Sequence, residues 1–202
     1  MHNSSTPDGG STADGSSTAD ALGLVADELH ALVDAVRAAD QAPFQRALTL
    51  FTDADRVFVH GAGRSGLALR MTAMRLMHLG LRVHVVGAVT TPAIGRGDVL
   101  LVASGSGTTG GIVQAARTAA DVGARVLAVS TTDDSPLAAV ADATLVLPAA
   151  TKTDRSGTAS AQYAGSLFEQ GVALLGDALF HALWQRSGRS ADELWPRHAN
   201  LE

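Results

Sequence analysis

The stretch Leu100–Gly111, LLVASGSGTTGG, decides the fold class and contains the first candidate site. An apolar run over Val99–Ala103 leads directly into SGSGTT, and a helical pattern of apolar residues opens at Ile112. A strand, a loop of small residues and a helix in this order present free backbone N–H groups and the positive helix end to an anion. Four hydroxyl side chains within the six residues Ser104–Thr109 exceed what helix capping requires. The stretch therefore predicts a phosphate-binding loop.

The same alternation of strand and helix extends along most of the chain. Short apolar runs predict five strands, at residues 56–60, 83–86, 99–103, 125–130 and 143–147. Helical spacing of apolar residues is found between and after them, at 67–79, 112–122, 135–141, 163–185 and 191–194. Apolar strands that alternate with helices predict an α/β fold with a parallel sheet covered on both faces. Two more helices, over residues 21–36 and 42–51, are predicted as an N-terminal arm, packed on the sheet or reaching another subunit.

Composition limits the domain count and the partners. Residues 1–20 are polar and small, so they are predicted to be a disordered tail ahead of one domain over residues 21–202. The net charge of −5 and the lack of a basic stripe argue against a nucleic-acid partner. No cysteine is present, which excludes disulfides and thiolate chemistry. No apolar run reaches bilayer length and no signal peptide is apparent, so we expect a cytoplasmic protein without a membrane partner.

A second small-residue loop follows the first predicted strand. Its sequence, GAGRSG (Gly61–Gly66), matches the GxGxxG pattern of dinucleotide sites, but no Asp or Glu occurs in Gly80–Thr91, where such sites carry an acidic residue. Ser65 in this loop suits a phosphate or a sugar hydroxyl equally well. Loops after parallel strands meet at the carboxyl edge of the sheet, where ligands bind. We therefore favour one site made by both loops over an NAD site.

Several segments together resemble a known family. They are GAGRSG, MRLMHLG (Met74–Gly80), SGSGTTGG, GSLFEQ (Gly165–Gln170) and RHANLE (Arg197–Glu202). In combination they are similar to the 6-phospho-3-hexuloisomerases, a family of the sugar isomerase (SIS) domain superfamily. The resemblance implies a flavodoxin-like three-layer α/β/α sandwich with a five-stranded parallel sheet, assembled as a homotetramer. It also implies the interconversion of D-arabino-hex-3-ulose 6-phosphate and D-fructose 6-phosphate, in formaldehyde fixation by the ribulose monophosphate pathway, without metal or organic cofactor.

The implied reaction moves a carbonyl from C3 to C2 through an enediol, so one group must take a proton from one carbon and return it to its neighbour. The resemblance assigns this role to Glu169, which also interrupts an apolar stretch of sequence. The resemblance assigns binding of the substrate's phosphate group to four hydroxyl residues: Ser65, Ser104, Ser106 and Thr109. The C-terminal tail is expected to fold over an active site, its own or a neighbour's, with His198 assisting at oxygen. Further candidates are left open: His78 and His60 as acids, and Lys152 and Arg155 as phosphate contacts.

Two other functions remain possible from the sequence. One is another SIS aldose–ketose isomerase, for example of arabinose 5-phosphate, although such enzymes commonly carry a C-terminal regulatory domain that this chain lacks. The other is a non-catalytic sugar-phosphate sensor, although such regulators usually add a helix-turn-helix domain. Some relatives carry an acidic or basic residue within the phosphate loop, where this chain has Thr108 and Gly110. Sugar contacts from those two positions are therefore not expected.

Overall fold

A computed structural model describes residues 17–154 and 156–201. The helices of this part are α1 (Thr18–Ala38), α2 (Ala42–Asp53), α3 (Gly63–Leu79), α4 (Gly110–Asp121), α5 (Ser166–Ser187) and α6 (Ala191–Leu194). The strands are β1 (Val57–Gly61), β2 (Val83–Val85), β3 (Val99–Ala103), β4 (Arg125–Ser130) and β5 (Ala143–Val146). Single 3₁₀ turns lie at Ala138–Val140, Tyr163–Gly165 and Trp195–Arg197.

The N-terminal boundary differs from the predicted one. Most of the predicted tail, residues 1–16, lies outside the described residues. Helix α1 begins at Thr18, because the Ser17 hydroxyl accepts a hydrogen bond from the Asp20 N–H and the Asp20 carboxylate accepts one from the Ser17 N–H. This reciprocal capping satisfies two N–H groups that a helix start otherwise leaves free. The last residues of the polar stretch are therefore helical.

The five strands form one parallel sheet in the order β2-β1-β3-β4-β5. Every residue of the central strand β3 is buried, which explains why its sequence is continuously apolar. One face packs mainly against α1, α2, α3 and α5, and the other against α4 and the 138–140 turn. The predicted three-layer α/β/α sandwich with N-terminal helices is thus confirmed.

Two glycines of the GAGRSG segment allow β1 and α3 to approach closely. A Cβ on Gly66 would overlap the carbonyl oxygen of Gly61, and a Cβ on Gly61 would lie 3.0 Å from the Cα of Gly66. Only hydrogen at both positions lets the helix begin directly against the strand end. Packing therefore accounts for the spacing of these glycines without any dinucleotide.

Within residues 17–154 and 156–201, no helix combines the length and apolar character needed to cross a bilayer.

Candidate active site

A cavity of about 330 Å³ opens at the carboxyl edge of the sheet. It is lined by the segments that follow β1, β3 and β5 and by the start of α5. All four residues predicted to bind the substrate line it: Ser65, Ser104, Ser106 and Thr109. Its volume is at the lower end of the range for small-molecule sites. The two loops singled out in the sequence therefore form one site, as predicted from the parallel topology.

Three helices begin at this cavity without a side-chain cap. Their N-cap residues are Ala62 for α3, Thr109 for α4 and Gly165 for α5, and all three line the cavity. Away from the cavity, Ser17 and Ser190 cap α1 and α6, and α2 begins after Gln41 without a side-chain cap. Uncapped first turns leave backbone N–H groups free and concentrate the positive ends of the helix dipoles. The cavity is thus suited to an anion such as a phosphate.

The predicted phosphate loop, Ser104–Thr109, is held in place by hydrogen bonds to Thr131 and between its own hydroxyls. The carbonyl oxygen of Gly105 accepts hydrogen bonds from the Thr131 hydroxyl at 2.7 Å and the Thr131 N–H at 3.0 Å. Ser104 is buried, and its Oγ lies 2.9 Å from the Oγ1 of Thr109. The Oγ of Ser106 lies 2.8 Å from the Oγ1 of Thr108. These hydroxyls are therefore fixed by one another before any ligand is considered.

Glu169 lies beside the cavity, in the first turn of α5. Its side chain is 8% exposed, and its Oε2 lies 3.1 Å from the Nε of Arg64 in the first turn of α3. The Glu169 side chain is outside the cavity lining, whereas the preceding residue, Phe168, lines it. Since Arg64 is 60% exposed, only the carboxylate of this ion pair is shielded from water. The pair places a buried carboxylate and a cation next to the loops Gly61–Gly66 and Ser104–Thr109.

His198 is not at the cavity of its own chain. Its ring stacks on His78 with centroids 4.0 Å apart, at the C-terminal end of α3. Ser65 lies at the other end of that helix, 13 residues before His78 in the sequence. Thirteen residues of α-helix are about 20 Å long, at about 1.5 Å per residue. His198 is therefore placed to act only in a neighbouring subunit, and that role stays a prediction.

The other candidate residues fall in different places. His60 lines a separate crevice between β1, β2 and α3 and does not line the cavity. Lys152 does line it, from the segment after β5. Arg155 lies outside the described residues. Of these candidates, Lys152 is the one that the described structure brings to the phosphate loops.

Sequence reasoning missed Arg64 and the N-terminus of α5 as parts of the site. Arg64 is a cation within the GAGRSG segment, and a cation in a phosphate loop was a signal that pointed to the site. Gly165, inside the predicted helix at 163–185, was the corresponding signal that the helix begins after it without a side-chain cap. The pairing of Arg64 with Glu169 depends on the packing of α3 against α5, which no local pattern reveals.

The buried imidazole of His78 makes stability dependent on pH. His78 is 4% exposed, and its Nδ1 has no hydrogen-bond partner among the described residues. Burial lowers the pKa of His78, and the nearby charges of His198 and Arg75 lower it further. The unfolded state therefore binds more protons, so stability is complete above the unfolded pKa of about 6.5 and falls as the pH drops below it.

Replacing His78 with phenylalanine removes this titration, so the Tm should depend less on pH in the acid range. Between about pH 7.5 and about pH 5.5, the Tm of wild type should fall further than that of His78→Phe, because only wild type loses stability as the unfolded chain takes up a proton at this position. Thermal unfolding followed by circular dichroism at several pH values measures the difference. Equal losses of Tm in both proteins would show that His78 is not the group responsible.

The geometry agrees with a family assignment made from the sequence. The profile of the SIS domain matches residues 50–170, which include both phosphate loops and Glu169. The chain belongs to the SIS domain family.

Relatives of this SIS domain protein include two named isomerases. The chain is 51% identical over 202 residues to the 3-hexulose-6-phosphate isomerase of Mycobacterium gastri, and the alignment covers 100% of both chains. It is 36% identical over 148 residues to the 3-hexulose-6-phosphate isomerase of Bacillus subtilis, covering 73% of this chain and 80% of the relative. Similarity to proteins of this name therefore includes the SIS domain, residues 50–170, and for the Mycobacterium gastri protein the whole chain.

A solved structure shares the SIS fold. It is the crystal structure of a hypothetical protein from Methanococcus jannaschii, for which a molecular function of 3-hexulose-6-phosphate isomerase was inferred. The TM-score is 0.78 and the sequence identity 26%, and the match covers 91% of this chain and 99% of the other. The fold of the described chain thus matches that solved structure over nearly its whole length.

Proposed function

We propose that this protein is an isomerase that interconverts D-arabino-hex-3-ulose 6-phosphate and D-fructose 6-phosphate. The observation that carries the proposal is the convergence of three uncapped helix starts on one cavity beside a buried carboxylate. The names of the full-length relatives support the choice of substrate. The proposal includes a role in formaldehyde assimilation, which the sequence resemblance implied.

The phosphate end of the substrate is bound by the two loops. Free N–H groups at the starts of α3, α4 and α5 face the cavity together with the hydroxyls of Ser65, Ser104, Ser106 and Thr109. These donors suit phosphate oxygens, because hydrogen bonds to a charged group are stronger than those between neutral groups. Lys152, which lines the same cavity, adds a charge. Binding at this end leaves the carbon chain free to extend towards the carboxylate of Glu169 in the first turn of α5.

The proton transfer is assigned to Glu169. Its carboxylate takes the C2 proton of the hex-3-ulose, which gives the 2,3-enediol, and returns a proton to C3 to give the 2-ketose. The oxygen proton moves in the same direction, from O2 to O3, since the C3 carbonyl becomes a hydroxyl and the C2 hydroxyl becomes a carbonyl. Arg64, 3.1 Å from Glu169, orients the carboxylate and stabilises negative charge that develops on the oxygens.

We propose further that the protein is a homo-oligomer, and the family resemblance implies a tetramer. Leu67, Met71 and Met74 lie on one face of α3, and each is at least half exposed, at 60%, 52% and 50%. Their spacing of three and four residues makes them a continuous apolar stripe. Burying this stripe against a second copy would supply a contact, and His198 can reach an active site only in another subunit.

A coupled assay tests the proposed reaction directly. Hexulose 6-phosphate should be converted to fructose 6-phosphate, whereas arabinose 5-phosphate should not be turned over. Because the site residues are hydroxyls, N–H groups and one carboxylate–arginine pair, EDTA should leave the rate unchanged. Activity that EDTA abolishes and a divalent ion restores would contradict proton transfer by Glu169 without a metal.

A further inference from the structure

The outer helix α1 is bonded directly to the turn segment, residues 160–165, which leads into α5. Glu28 of α1 accepts hydrogen bonds from the Ser160 hydroxyl at 2.6 Å, the Ala161 N–H at 2.7 Å and the Gln162 side-chain amide at 3.0 Å. Burial alone would raise the pKa of Glu28, but these three hydrogen bonds outweigh it and lower the pKa. At neutral pH the carboxylate is therefore ionised and accepts all three donors.

The charge of Glu28 fixes which way the side-chain amide of Gln162 points. An ionised carboxylate only accepts hydrogen bonds, so the amide nitrogen of Gln162 must face it. The Oε1 of Gln162 then faces the other way and accepts a hydrogen bond of 2.8 Å from the Nε2 of Gln170. Gln170 lies on α5 directly after Glu169. Glu28 is thus connected to the first turns of α5 by a chain of oriented hydrogen bonds.

The turn segment also forms part of the cavity wall. Ala164 has φ of 50°, a left-handed conformation that alanine adopts only when the flanking chain holds it. Gly165 follows with φ of 80° and is the uncapped N-cap of α5. A Cβ on Gly165 would lie 3.4 Å from the carbonyl oxygen of Ala150 and 3.5 Å from the backbone nitrogen of Lys152. The placement of Lys152 and of the α5 start thus depends on this turn.

We propose that Glu28 is a positioning residue for the substrate site, which fixes the turn segment and through it the start of α5 and Lys152. Helix α1, far from the phosphate loops in sequence, then contributes to substrate affinity. The inference rests on the proposed function only for the identity of the substrate. The anchoring itself is a property of the fold and can be measured without catalysis.

Lys152 provides a direct probe, because it is the only lysine in the sequence. Lysyl endopeptidase therefore cuts the intact chain at one position, on the cavity wall. In Glu28→Ala, which loses three hydrogen bonds to an ionised group, cleavage should be faster by about ten-fold or more, since proteolysis follows the population of the open form. The exposed neighbour Asp27 on the same helix supplies the control, and Asp27→Ala should be cut at the wild-type rate.

Kinetics separate positioning from a general loss of structure. Glu28→Ala should raise KM for the sugar phosphate by about ten-fold and lower kcat by less than about three-fold, because Glu169 and Arg64 are unchanged. Glu28→Gln keeps the side-chain volume and one acceptor oxygen, so its KM and cleavage rate should be intermediate. It also serves as the test variant if Glu28→Ala does not fold, which circular dichroism and Tm will show.

Two results would overturn the inference: cleavage of the folded variant at the wild-type rate, or a KM equal to that of wild type. A wild-type protein without isomerase activity would contradict the proposed function alone. In that case the cleavage comparison, with and without inorganic phosphate as the protecting anion, still decides whether Glu28 holds the turn segment.

Discussion

Glu169→Gln should lower kcat by about 10²- to 10⁴-fold, the usual contribution of a positioned general base. Glutamine keeps the volume of the side chain and can still contact Arg64, but it cannot take a proton from carbon. The phosphate loops are untouched, so the affinity for inorganic phosphate should change little. Steady-state kinetics with hexulose 6-phosphate, together with phosphate titration by calorimetry, measure both quantities.

A matched control is available on the same helix. Asp177 is an exposed acid of α5, two to three turns beyond Glu169, and Asp177→Asn should keep wild-type kcat and KM. If Glu169→Gln retains more than about a tenth of the wild-type kcat, the base lies elsewhere. A neighbouring subunit's His198 would then be the first residue to test, since the described structure places no histidine at the cavity.

Ser104→Ala and Ser106→Ala should each raise KM for the sugar phosphate by about ten-fold or more. A hydrogen bond to a charged group contributes about 1.5–3 kcal/mol, and 1.4 kcal/mol corresponds to a factor of ten. The effect should be larger for Ser104, which is buried and also holds Thr109, than for Ser106 at the exposed part of the loop.

The kinetic signature distinguishes binding from catalysis. Loss of a phosphate contact made equally in substrate and transition state raises KM and leaves kcat nearly unchanged. Thr118→Ala, an exposed hydroxyl near the other end of α4, should behave as wild type. A fall in kcat at constant KM for Ser104→Ala would show that this loop contacts the reacting carbons and not the phosphate.

Much of the fold follows from local sequence patterns, because buried parallel strands are continuously apolar and the helices that cover them keep helical spacing. The boundaries were less accurate: α3 begins at Gly63 and not at Leu67, and α4 at Gly110 and not at Ile112. In both cases the helix opens with glycines or with hydroxyl or charged residues, so its first residues carry no apolar periodicity. The predicted helix at 135–141 reduces to a single 3₁₀ turn over Ala138–Val140.

The candidate site was predictable only in part, and for a physical reason. Ser65, Ser104, Ser106 and Thr109 follow strands, and parallel topology brings strand ends together, so their meeting was expected. The ion pair between Arg64 and Glu169 depends on how α3 packs against α5. Contacts of that kind join residues far apart in the chain and leave no periodic signal in the sequence.

The C-terminal histidine illustrates the same limit. The resemblance places His198 at an active site, and in the described chain the ring instead stacks on His78, at the far end of α3 from the phosphate loops. Nothing in the spacing of RHANLE indicates which helix end the segment contacts. The interpretation that His198 serves a neighbouring subunit stays a prediction.

Proton exchange into fructose 6-phosphate tests the central claim most directly. Wild-type protein incubated with fructose 6-phosphate in D₂O should place deuterium at C3, because removal of the C3 proton gives the 2,3-enediol, and hexulose 6-phosphate should accumulate in the NMR spectrum. Glu169→Gln should exchange at least about 10²-fold more slowly. Deuterium at C1 would contradict the account in favour of an aldose–ketose isomerase, and the lack of both deuterium exchange and hexulose 6-phosphate would contradict catalysis altogether.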